Sequence, residues 1–109
     1  MDEISIFNKT KVYELNKKKI RSFIINPKSL INRKYNFKSI LGKDANYNSK
    51  KIIEIFNGKH NAFLEIVALN AAAGLIISEK ENNLKKAYYK AKNYILSGNA
   101  LRKINQLTK

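Results

Sequence analysis

The chain reads as a mostly helical segment headed by a two-strand β-hairpin, and it looks like the end of a larger α/β domain. Three observations carry that reading. Two short runs rich in β-formers flank a polar turn near the start. From Asp44 onward, apolar residues recur at helical spacing through four successive stretches. One of those stretches is apolar on nearly every side, and such a helix is normally buried among other elements. Two strands alone make only a marginal sheet, so further strands are expected outside these residues.

The elements follow in order. Thr10 to Leu15 and Ile20 to Ile25 predict antiparallel strands joined through Asn16–Lys19, with Pro27 closing the second. Residues 28–43 show no clean period and predict an irregular loop with one short helical turn. Asp44 can cap a helix running to Phe56, with Ile52, Ile53 and Phe56 as its apolar face, and Asn57-Gly58 is a stop signal. A second helix spans Asn61 to Ser78, where Ala71, Ala72, Ala73 and Gly74 would let a neighbouring backbone come close. A third runs from Asn83 to Leu96 with a stripe of Leu84, Ala87, Tyr88, Ala91 and Ile95. Ser97 is the expected cap of a last short helix carrying Leu101, Ile104 and Leu107.

Composition narrows the chemistry. The 109 residues contain no cysteine, no tryptophan and a single histidine, His60. Disulfides, thiolate catalysis, Cys-ligated metal sites and multi-His centres are therefore excluded within them. The longest nearly apolar stretch, Ile66 to Ile77, has 12 residues, against about 20 for a spanning helix. No membrane association and a cytoplasmic location are the expectations. The formal net charge is +14, but Lys outnumbers Arg by 19 to 3 and is spread along the whole chain. Phosphate and base-edge readers favour the bidentate arginine fork, so a solvated basic surface is expected rather than a nucleic-acid site. His60 is expected at the surface. Tyr88, Tyr89 and Tyr94 are expected to serve packing, and Asn48 and Asn70 helix packing or capping.

Six motifs in order resemble the anthranilate phosphoribosyltransferases. Phe63-Leu64-Glu65-Ile66-Val67-Ala68-Leu69-Asn70-Ala71-Ala72-Ala73-Gly74-Leu75 is similar to that family's Asn-Ala-Ala-Ala helix, and Ser97-Gly98-Asn99-Ala100-Leu101 to its Ser-Gly-x-Ala-Leu ending. Gly42-Lys43-Asp44-Ala45 with Asn48 resembles its Gly-Gly-Asp-Ala-x-x-Asn helix entry, and Phe56-Asn57-Gly58 falls where the family has an apolar residue, a small residue and Gly. Asp2-Glu3-Ile4-Ser5, then Thr10-x-Val12-x-Glu14-Leu15, resembles its Asp-Glu-x-Ser…Thr-x-Val-x-Glu-Leu segment. Asn8, Lys9 and Lys43 depart from the family's usual Gly, Pro and Gly.

The resemblance implies an α/β parent domain of nucleoside phosphorylase/phosphoribosyltransferase type, with residues 1–109 as its C-terminal part. The family's N-terminal helical domain, through which it typically forms homodimers, and its Gly-rich phosphate loop have no counterpart here: Gly42, Gly58, Gly74 and Gly98 lie far apart. The implied reaction transfers phosphoribosyl from phosphoribosyl pyrophosphate to anthranilate in tryptophan biosynthesis. Both substrates would be partners only if the missing part complements this one. The implied metal is Mg²⁺, held by Asp2 and Glu3, and no other residue of the chain is expected at the chemistry. Alternative readings are part of a pyrimidine-nucleoside phosphorylase, or a small basic nucleic-acid-binding domain.

Overall fold

The computed structural model describes residues 1–108. Strands β1 (Thr10–Asn16) and β2 (Lys19–Ile25) form an antiparallel hairpin, with Tyr13 opposite Ser22 and Leu15 opposite Ile20. Four helices follow: α1 (Ala45–Phe56), α2 (Ala62–Ile77), α3 (Leu84–Leu96) and α4 (Asn99–Leu107). The predicted order is observed, as is the two-strand limit among the described residues. The segment expected as a loop carries two single 3₁₀ turns, Pro27–Ser29 and Phe37–Ile40, instead of one. Asn26 and Asn36 start them by accepting from the backbone N–H two residues on.

The helix ends follow local chemistry. Asp44 Oδ1 accepts from Tyr47 N–H at 2.8 Å, the predicted cap. Asn61 and Asn83 cap α2 and α3 in the same way. At the end of α1, Gly58 takes φ +93°, and the N–H groups of Gly58 and Lys59 return to Ile55 and Glu54, as the Asn-Gly signal implies. The expected Ser97 cap is corrected. Gly98 occupies that position at φ +85° with no side-chain cap, and Ser97 closes α3 instead. A left-handed residue is needed to turn the chain there, and Gly alone adopts it without strain.

The core lies between α2 and α3, with Ile6, Leu30 and Ile31 from the N-terminal half closing it. Ala68, Ala72, Ala87 and Ala91 are all buried, so the two helices approach closely through small residues. Leu64, Leu69 and Tyr88 fill the space around them. The α3 stripe is as predicted. The α1 face is so only in part: Phe56 packs against the core as expected, but Ile55 is the residue buried at 1% exposure, while Ile52 and Ile53 remain 44% and 40% exposed. Leu107 at the end of α4 is likewise exposed.

Helix α2 contributes the most buried residues, yet Val67, Ala71, Gly74 and Ile77 form an uncovered stripe. Beyond Gly74's chain neighbours and the helix's own backbone, no heavy atom lies within 4 Å of where a Gly74 Cβ would stand. The close approach through small residues therefore occurs at Ala68 and Ala72, on the opposite side. The hairpin rests beside the C-terminal end of α2 across a cavity of about 360 Å³ lined by Val12, Phe23, Ile25, Ala73 and Ile76. Its outer face leaves Tyr13, Leu15, Ile20 and Ile24 exposed.

Candidate functional site

The Asp2-Glu3 segment is held from below by three polar side chains. Asn70, midway along α2, accepts from Ile4 N–H at 2.8 Å and donates to Ile4 C=O at 3.1 Å. Its amide also donates to Ile66 C=O within the helix, at 2.9 Å. Ser5 Oγ accepts from the N–H groups of Phe7 and Asn8, folding the chain back, and Ser5 N–H donates to Thr10 Oγ1 at the start of β1. Ile6 is buried in the core just after. Residues 4–10 thus form a braced turn, and the motif's Ser and Thr are structural.

Asp2 and Glu3 project from that turn. Both are exposed, and neither takes part in the four ion pairs found among the described residues. Glu3 lies on the wall of an open cavity of about 710 Å³ formed by Phe37, Leu41, Phe63, Ile66 and Val67. Two free, adjacent carboxylates suit a hard cation. Mg²⁺ commonly takes one or two protein carboxylates and completes its shell with water and phosphate oxygens. No group of three or more His, Cys, Asp or Glu side chains comes together among the described residues. The pair is a partial donor set, open toward solvent, whose hard oxygen atoms are of the kind Mg²⁺ takes.

The remaining singled-out residues fall elsewhere. His60 is exposed at the start of α2, and Tyr89 and Tyr94 lie partly exposed on α3. Asn48 in α1 clasps the loop before its own helix, accepting from Lys43 N–H at 2.9 Å and donating to Lys43 C=O. It packs tightly on Gly42, where a Cβ would stand 3.1 Å from its Oδ1. Asn48 and Asn70 thus do the same job, each pinning a preceding segment to a helix.

Glu65 was not expected in the core. It lies one turn into α2, 5% exposed, among Leu64, Ala68 and Leu69. Lys92 Nζ donates to its Oε1 at 2.9 Å, the Tyr88 hydroxyl donates to Oε2, and Tyr35 reaches Oε1 at 3.5 Å. Burial, and then the Glu65 carboxylate, push the Tyr88 hydroxyl above the ordinary tyrosine range. The acid's place inside an otherwise apolar run was the available signal: an ionised group there needs a partner. This cluster ties α2 to α3 and lies away from the Asp2-Glu3 turn.

Residues 1–101 match the glycosyl transferase family, a/b domain. The chain is 41% identical over 107 residues to the anthranilate phosphoribosyltransferase of Pelagibacter ubique (strain HTCC1062), covering 98% of this chain and 32% of that protein. It is 37% identical to the enzyme of that name from Petrotoga mobilis (98% and 31%) and 32% identical to that from Chelativorans sp. (98% and 32%). The chain thus spans about a third of the length of the curated relatives it matches. The nucleoside phosphorylase and nucleic-acid-binding readings are not favoured. No helix among the described residues is long and apolar enough to cross a membrane.

Proposed function

The chain belongs to the glycosyl transferase family, a/b domain, and on that premise we propose that it supplies the carboxylate-bearing C-terminal part of an anthranilate phosphoribosyltransferase. The observation that carries the reading is a contrast around one turn. Ser5, Thr10 and Asn70 are all engaged in bracing the N-terminal turn, whereas the Asp2 and Glu3 carboxylates take part in no ion pair and face solvent beside an open cavity.

In the proposed reaction the bond at ribose C1 of phosphoribosyl pyrophosphate breaks and anthranilate nitrogen takes the sugar. Negative charge grows on the departing pyrophosphate, and positive charge on the ring. Mg²⁺, when bound, neutralises the leaving group. Asp2 and Glu3 would hold that ion through their carboxylate oxygens. The braced turn keeps the two carboxylates in one place, so little reorganisation is needed as charge develops. The phosphate-cradling loop and the anthranilate-side groups have no counterpart in these 109 residues, and positioning and electrostatic terms each supply several kcal/mol in ordinary enzymes. The chain by itself is therefore inactive under this reading, and both substrates and the family's homodimeric contact depend on the other two-thirds. Tryptophan biosynthesis in the cytoplasm is the corresponding setting.

The test is complementation. The purified chain is assayed for anthranilate consumption alone, then co-expressed with the part of the Pelagibacter ubique enzyme that it does not match. No turnover alone, and Mg²⁺-dependent turnover in the complemented enzyme that Asp2→Asn and Glu3→Gln abolish, is the expected result. Turnover by the chain alone, or complemented activity indifferent to both substitutions, would refute the proposal.

A further inference from the structure

We infer that Asn70 is a positioning residue for the Asp2-Glu3 pair: by clasping both backbone groups of Ile4, its carboxamide decides where the two carboxylates are presented. The inference rests on the metal-holding role proposed above and extends it to a residue 66 positions beyond Ile4 in the chain.

Asn70 is an odd occupant of its site. It interrupts an apolar helix, where asparagine has poorer helix propensity than alanine, and it is flanked by Ala71, Ala72 and Ala73. Its surroundings give it one specific task. Asn offers an acceptor and a donor on one planar group. Here the acceptor meets Ile4 N–H and the donor meets Ile4 C=O, the pattern a neighbouring strand would offer. The second amide hydrogen goes back to Ile66 C=O, which fixes the carboxamide against the helix and removes its freedom to swing. Ile4 is therefore fixed at both polar groups by a rigid helix, and Glu3 is the next residue.

No other side chain can replace it. Asp lacks the donor, and Gln would place the amide one methylene further out. Ser5 and Thr10 brace the chain beyond Ile4, so Asn70 is the side chain that holds the backbone next to Glu3. Groups that orient metal ligands commonly change metal affinity ten- to a hundredfold when removed, and Asn70 would act in this way through the backbone rather than through a ligand atom.

The test follows Mn²⁺ binding with pyrophosphate present, read by paramagnetic broadening of the Ile4 and Ser5 amide signals, together with hydrogen exchange at the Ile4 amide. Asn70→Ala should abolish Ile4 protection and weaken Mn²⁺ binding by about tenfold or more. Asn70→Asp, which retains the acceptor, should keep part of the protection. Ile55→Val, a buried change on α1 of similar stability cost, should leave Mn²⁺ binding unchanged. Loss of Ile4 protection with unaltered Mn²⁺ affinity would overturn the inference and leave Asn70 as a simple fastener. An equal loss of affinity in Ile55→Val would overturn it too, since the effect would then follow stability alone. Mn²⁺ binding that survives Asp2→Asn with Glu3→Gln would refute the metal-holding role instead, whatever Asn70→Ala does.

Discussion

Replacing Lys92 by Met isolates the buried charge in α2. Glu65 has a side chain only 7% exposed, and Lys92, 20% exposed, is its sole ion-pair partner among the described residues. Met keeps most of the lysine's length and apolar stem and deletes the ammonium. The carboxylate would then rely on the Tyr88 hydroxyl and the longer contact from Tyr35. Breaking a buried ion pair by removing one partner typically costs 3–5 kcal/mol. The retained Tyr88 bond and the partly solvated lysine place this case at the low end, about 3 kcal/mol. For a domain of this size each kcal/mol shifts the midpoint by roughly 4–8 °C, so a fall on the order of 12–24 °C is expected. Urea unfolding followed by far-ultraviolet circular dichroism reads the free energy, and a thermal scan reads the midpoint. Adding Glu65→Gln should recover part of the loss, because the uncompensated charge disappears. A cost below about 1 kcal/mol, the range of exposed pairs, would mean that water reaches Glu65 and that the cluster does not hold α2 to α3.

Other outcomes follow from the same structure. The uncovered stripe of Val67, Ala71 and Ile77 on α2 should promote self-association, with sedimentation showing oligomers that Val67→Lys reduces; a clean monomer at high concentration would contradict this. Tyr88 has its hydroxyl raised above its unfolded value by burial, so the stability it contributes is fully present below about pH 10 and falls as pH rises above that. Tyr88→Phe should flatten that alkaline slope in pH-dependent unfolding, and an unchanged slope would refute the assignment. The hairpin turns through Lys17 and Lys18, both at positive φ (49° and 66°), where Asn-Gly is favoured. Lys17→Asn with Lys18→Gly should raise stability by roughly 1–2 kcal/mol in urea unfolding, and a loss would mean that the lysine side chains contribute contacts of their own.

What the sequence determined by itself is what depends on neighbours a few residues away. The four helices, the Asp44 cap and the Gly58 stop rest on hydrogen bonds or dihedral preferences spanning at most five positions, and the hairpin pairs residues no more than 15 apart across a short turn, so the residue types sufficed to place them. The tertiary structure decided the rest. Whether Ile52, Ile53 or Ile55 enters the core depends on the direction from which other helices approach α1, and the apolar pattern pointed to Ile52, Ile53 and Phe56 rather than to Ile55. The partners of Glu65 lie 23 and 27 residues on, and a buried acid looks the same as an exposed one until its helix has been packed. Asn70 gives the clearest case. Its type and place in an apolar run marked it as unusual, but its contact with Ile4 crosses 66 residues. Only packing α2 beneath the N-terminal turn brings the carboxamide to the backbone that carries Asp2 and Glu3.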